Sequence, residues 1–281
     1  MTDHRLEVQK IEAFEHYLRL EEKSMATIEK YLRDIRSFAS WLDGRAITKE
    51  LTTEWKKYLL EKGYAPATIN AMLSALNGLL DFLDLHEYRV KFLKIQRQLF
   101  RDSSRELTRK DYERLLFAAK KLGRERISLL AETICATGVR VSEVRYITVE
   151  ALQQGKTEIN LKNKIRTIFL PQKLCHKLRK YAKKQKISSG AIFRTRTGRV
   201  LNRRQIWSEL KDLCKYADVS PKKVFPHNFR HLFATVFYRS CRDIVKLADI
   251  LGHSSIETTR IYLVTSGMEH RRELERLGLV T

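Results

Sequence analysis

Residues 5–83 carry four successive runs in which apolar side chains recur at three- and four-residue steps. Val8, Ile11, Phe14 and Leu18 fall on one helical face over about residues 5–23. After Ser24, the residues Ile28, Tyr31, Leu32, Ile35, Phe38, Trp41 and Leu42 repeat the pattern, and Asp43-Gly44 closes it. Leu51, Trp55, Tyr58 and Leu59 make a third stripe over about 49–62, stopped by Gly63. The fourth opens at Ala65-Pro66, where proline suits a first helical turn, and runs through Ile69, Met72, Leu73, Leu76, Leu79, Leu80 and Leu83. Short amphipathic helices cannot bury such stripes alone. The pattern therefore dictates a compact helical bundle, and the residues between the stripes, heavily basic, give it a charged exterior.

The period fades over residues 90–106, which read as a polar, basic linker containing Lys91, Lys94, Arg97 and Arg101. Helical spacing resumes at Thr108, where Thr108-Arg109-Lys110-Asp111 has the form of a capping box. Tyr112, Leu115, Leu116 and Ala119 line that helix, and Ile127, Leu130 and Ile134 line the next, which Gly138 ends. A further helix is expected from about Ser142. Residues 157–170 break the helical period: Thr157–Leu161 and Ile165–Leu170 read as two strands joined by Lys162-Asn163-Lys164. Helices are expected again over about 172–185, 202–217, 227–239 and 243–251. One capped by Ser254 or Ser255 would carry Tyr262, and a last one spans about Met268–Leu277. The fold class is mainly α with one small β-hairpin, in two domains: 1–89, a linker at 90–106, and 107–281.

Charge narrows the partner. The chain of 281 residues has 55 Lys and Arg against 33 Asp and Glu, a net +22. An excess of this size favours a polyanion, because basic side chains displace counterions from phosphates. The N-terminus lacks the apolar core of a signal peptide. No apolar run is long enough for a membrane span, so no membrane partner is expected. Cys135, Cys175, Cys214 and Cys241 form no C-x-x-C pair and suit a reducing, cytoplasmic setting.

Several residues could carry chemistry. His227 and Arg230 are three apart on one helix face, in a first turn where the helix dipole favours phosphate. Arg140, between Val139 and Val141, reads as partly buried and in need of an acceptor. Glu143 would supply one, and so would a phosphate gripped by the guanidinium fork. Lys162 and Lys164 sit at a hairpin tip, as cations free to move or as an ordinary solvated turn. Tyr262 lies nine positions after His253. Its phenol is a weak nucleophile at a pKa near ~10 unless cations and a base assist it.

Taken together and in order, these segments resemble the tyrosine recombinases of the Xer and phage-integrase family. Gly138-Val139-Arg140-Val141-Ser142-Glu143 resembles the first arginine box, and Lys162-Asn163-Lys164-Ile165-Arg166 the hairpin lysine region. His227-Asn228-Phe229-Arg230-His231 resembles the H-x-x-R box, with Phe229 where leucine is commoner. Leu251-Gly252-His253-Ser254 resembles the second histidine box, and Thr258-Thr259-Arg260-Ile261-Tyr262 the nucleophile segment. The front half, including Thr27 to Ile35, resembles the family's helical, SAM-like core-binding domain. The helices begin so early that no additional N-terminal arm-binding domain is expected.

The resemblance implies a role for each residue. Tyr262 would attack the scissile phosphate to give a 3′-phosphotyrosine and a free 5′-hydroxyl. Arg140 and Arg230 would neutralise the non-bridging oxygens, and His253 would donate a further hydrogen bond. His227 would act as general base, Lys162 as general acid with Lys164 as its competitor, and Glu143 as an accessory orienting group. No metal or other cofactor is implied. The partners would be double-stranded DNA, held between the two domains, three further copies of the chain in a homo-tetramer on synapsed sites, and accessory DNA-binding proteins. A type IB-like topoisomerase and a non-catalytic DNA-binding regulator are the rival readings.

Overall fold

Each apolar stripe of the first 83 residues becomes a helix: α1 (Val8–Leu20), α2 (Met25–Leu42), α3 (Lys49–Glu61) and α4 (Pro66–Phe82). In this computed structural model, residues 4–95, 103–161, 164–262 and 275–277 are described. The chain divides into two compact units, Met1–Arg97 and Gln98–Thr281. In the first unit, the Ser24 side chain accepts the Thr27 N–H at the start of α2, and Asp43 ends that helix in the left-handed region at φ 51°. Thr48 caps α3 in the same way through Leu51 N. α4 is the central element, because Ile69, Leu73, Leu76, Leu79 and Leu80 are all buried along it. On one side it packs with Phe38, Leu42, Trp55 and Leu59, and on the other with Phe14, Ile28 and Ile35. Two asparagines on α4 hold the segment that follows. Asn77 pairs with both backbone groups of Val90 at 2.9 and 3.0 Å, and Asn70 does the same for Leu93 at 2.8 and 2.9 Å. An amide side chain offers one donor and one acceptor, so it satisfies an extended backbone as a neighbouring strand would. The start of the expected linker is thereby tied to the helical bundle.

The second unit contains α5 (Arg109–Lys121), α6 (Glu125–Thr137), α7 (Val149–Gln154), a hairpin of β1 (Lys156–Leu161) and β2 (Lys164–Phe169), then α8 (Gln172–Lys184), α9 (Arg203–Ala217), α10 (Pro226–Cys241), α11 (Ile244–Leu251) and α12 (Ile256–Arg260). The capping box of α5 forms in full between Thr108 and Asp111. Helix α6 lies deepest, with Ile127, Leu129, Leu130, Ala131, Thr133 and Ile134 buried around its circumference. The strands pair antiparallel, Ile159 opposite Arg166 and Thr157 opposite Ile168, which puts these four residues on the core face. Among the described residues no helix is long and apolar enough to cross a membrane.

Two expectations meet a different outcome, and a third lies outside the described residues. No regular helix starts at Ser142; turns lead to a 3-10 turn at Val144–Tyr146, and α7 begins only at Val149. The Glu143 carboxylate turns back onto Arg140 N, and Val139, Val141, Val144, Ile147 and Val149 are β-branched, which weakens an α-helix there. Tyr262 lies just beyond α12, in a turn where its N–H reaches Thr259 O at 2.9 Å. The last expected helix falls outside the described residues apart from 275–277.

An ion network fixes where α10 begins. Asp111 is buried and bonds Arg114 at 2.8 Å and Lys223 at 3.2 Å. Burial alone would raise its pKa, but Arg114, Thr108 and Lys223 outweigh burial and hold it down to about 2. Asn228 adds donors to Lys223 O at 2.8 Å and Arg105 O at 2.6 Å. The first turn of α10, with His227 and Arg230, is therefore anchored to the start of α5.

Candidate active site

Two left-handed glycines shape the site. Gly138 ends α6 at φ +65°, and a Cβ there would sit 2.6 Å from the Phe233 ring on α10. Gly252 ends α11 at φ +63°, and a Cβ there would collide with the Arg166 side chain. Both turns leave carbonyls unpaired at helix C-termini, where cations are favoured. Arg230, 3% exposed, fills that gap: it donates to Gly138 O and, at 2.6 Å, to Leu251 O. The ends of α6 and α11 are thus joined through one guanidinium.

Around Arg230 the other groups converge. Arg140 follows Gly138 and donates from Nη1 to Glu143 Oε1 at 2.8 Å, while its backbone N–H reaches Glu143 Oε2 at 2.8 Å. Its side chain keeps 41% of its exposure. Glu143, 3% exposed, also accepts from Arg166 Nη2 at 2.7 Å. Arg166 extends a second hydrogen bond to Leu251 O. His253 follows Gly252, with Nε2 at 3.0 Å from Arg230 Nη2 and Nδ1 at 2.8 Å from Thr259 Oγ1. Tyr262 is 4% exposed and packs with Ala234, Leu247 and Leu251. Its ring stacks on His253 at 5.8 Å between centroids, with His231 at 5.1 Å and His227 at 6.3 Å.

Two guanidiniums, of Arg140 and Arg166, share the Glu143 carboxylate, and that of Arg230 lies close enough to feel both. Burial first, then Arg140, lowers the Arg230 pKa to about 10, with Tyr262 opposing; the group stays charged at neutral pH. Arg166 is lowered mainly by burial, with Arg140 adding and Glu143 opposing. His253 drops to about 4, from burial and then from Arg230, Arg140, Arg166 and His227. Its imidazole is therefore neutral at pH 7. The cluster concentrates positive charge with an aromatic hydroxyl at its edge.

The structure brings Arg140, Glu143, Arg230, His253 and Tyr262 together, with His227 exposed at the near end of α10. Lys162 lies outside the described residues, and so does the side chain of Lys164. Three neighbours were not singled out from sequence. Arg166 had a legible signal: strand alternation puts it on the buried face with Ile168, while Ile165 and Phe169 are 73% and 74% exposed. An arginine at an inward strand position requires an acceptor. His231 follows Arg230 and turns toward the Tyr262 ring, whereas Thr259 has no local pattern to mark it.

Comparison with known proteins identifies the family. Residues 105–267 match the phage integrase family, and residues 11–87 match the phage integrase N-terminal SAM-like domain. The chain belongs to the phage integrase family. Among curated relatives of this family, tyrosine recombinase XerA of Thermococcus kodakarensis is 30% identical over 96% of this chain and 95% of its own length. XerA of Pyrococcus furiosus is 29% identical over 100% of this chain and 98% of its own. XerD of Pseudomonas aeruginosa is 30% identical over 86% and 88%. The fold is shared with a lambda integrase dimer bound to a COC′ core site, with a TM-score of 0.73 at 16% identity over 92% of this chain and 95% of that one. The family's site-specific recombinases are thus the proteins this chain resembles along its whole length.

Proposed function

We propose that the chain cuts and rejoins duplex DNA at specific sites through a covalent 3′-phosphotyrosine. The observation that carries this reading is the convergence of Arg140, Arg230, His253 and Tyr262, from four separate segments, on one positively charged cluster. Oη of Tyr262 forms a bond to the scissile phosphorus as the bond from phosphorus to the 5′-oxygen breaks. The phenolic proton passes to His227, and Lys162 gives a proton to the departing 5′-oxygen. Arg140 and Arg230 offset the charge that builds on the non-bridging oxygens, where preorganised donors act most strongly. Side-chain cations supply that charge, so the reaction draws on neither metal nor ATP. The phosphotyrosine keeps the bond energy of the cut strand, and the 5′-hydroxyl of a partner strand reseals it. Four protomers synapse two sites, accessory DNA-binding proteins guide the choice of site, and the event takes place in the cytoplasm. The net charge of +22 supports DNA as the partner.

The test is Tyr262→Phe against a nicked suicide substrate. Wild-type protein traps as a covalent adduct and Tyr262→Phe does not. An adduct from the Phe variant overturns the nucleophile assignment. Supercoil relaxation by a monomer without exchange between two sites would point instead to a topoisomerase.

A further inference from the structure

His253 has its two ring nitrogens in different company. Nε2 lies 3.0 Å from Arg230 Nη2, and a guanidinium has only donors. Nε2 must therefore accept, so the proton of this neutral imidazole sits on Nδ1. Nδ1 in turn lies 2.8 Å from Thr259 Oγ1, which accepts that proton's hydrogen bond. Thr259 is 0% exposed, so no water replaces it. The same residue receives the Tyr262 N–H on its carbonyl at 2.9 Å. In the proposed reaction the demand reverses. His253 can donate to a phosphate oxygen only from Nε2–H, and Nδ1 must then accept. A threonine hydroxyl is both donor and acceptor and rotates to suit.

We infer that Thr259 is a positioning residue that holds the His253 ring in either tautomer, accepting from Nδ1–H in the free protein and donating to Nδ1 when a phosphate displaces Arg230 from Nε2. The second half rests on the proposed recombinase chemistry; the first does not. Because Thr259 also holds the backbone of Tyr262, one side chain links the hydrogen-bond donor to the nucleophile. Valine matches the shape of threonine but cannot serve Nδ1 in either direction, whereas serine can.

The experiment uses 15N-histidine-labelled full-length protein and a nicked duplex carrying the sequence that the protein protects. In the free wild type, 15N shifts place the His253 proton on Nδ1, and binding to the duplex by the Tyr262→Phe form moves it to Nε2. Thr259→Val leaves Nδ1 without a hydrogen-bond partner in either tautomer and cleaves about tenfold more slowly, below the ~100-fold loss typical when an oxyanion donor is removed outright. Its DNA affinity is unchanged, and Thr259→Ser restores the rate. An Nε2–H tautomer in the free wild type, or a Thr259→Val protein with wild-type cleavage, overturns the inference. Failure of Thr259→Ser to rescue would reduce Thr259 to a packing residue. Absence of any adduct from wild-type protein would sink the recombinase reading, while the free-state tautomer would still be judged on its own spectrum.

Discussion

Glu143→Gln keeps the shape of the side chain and removes the carboxylate that the Arg140 and Arg166 guanidiniums share. Its two ion pairs differ in weight. Arg140 is 41% exposed, so that pair counts as a surface pair of ~0.2–1 kcal/mol. Arg166 is 10% exposed against a Glu143 that is 3% exposed, and breaking a buried pair costs about 3–5 kcal/mol. The Gln carbonyl can still accept the Arg140 N–H, which moves the expected loss to about 3 kcal/mol. For a unit of this size that corresponds to a fall in Tm of roughly 6–12 °C. DNA should offset part of it, because a bound phosphate supplies the missing negative charge. Thermal unfolding of wild type and Glu143→Gln, each with and without the protected duplex, tests both parts. The variant should unfold earlier without DNA and gain more from DNA than wild type does. A loss below about 2 °C without DNA, or a DNA-induced gain no larger than in wild type, would refute the argument that Glu143 balances this cluster.

Gly252→Ala should destabilise by more than the ~1–2 kcal/mol of a left-handed alanine, because its Cβ also displaces Arg166. Gly155→Ala, at φ +70° with nothing within 4 Å of its Cβ, should show the backbone cost alone in urea unfolding. The unfolded chain binds a proton on His253 below pH 6.5 and the folded chain only below about 4. Stability from this group is therefore present above pH 6.5 and lost as pH falls toward about 4, so His253→Gln should flatten the Tm decline across that window. Lys162→Ala should lose cleavage of ordinary DNA and regain it when the leaving 5′-oxygen is replaced by sulfur, a weaker base needing no general acid. If Lys164→Ala behaves that way instead, the acid is Lys164.

Much of the architecture was legible because local signals coincide with it. The four stripes, the capping box at Thr108, the proline at α4 and the alternation of the hairpin all depend on residues within a few positions of each other. Tyr262, His253, Arg230 and Arg140 were legible as types at recognisable spacings, though not as neighbours. The error at Ser142 came from a long-range demand: Glu143 is turned inward to serve Arg140 and Arg166, the latter 23 residues later. Arg166 could have been found from strand alternation. Thr259 could not, since only the approach of α12 to the end of α11 brings its hydroxyl to His253.

By itself, the sequence determined the helical bundle, the hairpin, the basic character and the set of candidate side chains, because periodicity, turn chemistry and charge are properties of short stretches. Tertiary structure alone decided how the Arg140 and Arg166 guanidiniums share one carboxylate, and which nitrogen of His253 faces Arg230. Those outcomes depend on burial and on distances between groups far apart in the chain. In a desolvated cluster such distances govern both charge and proton position.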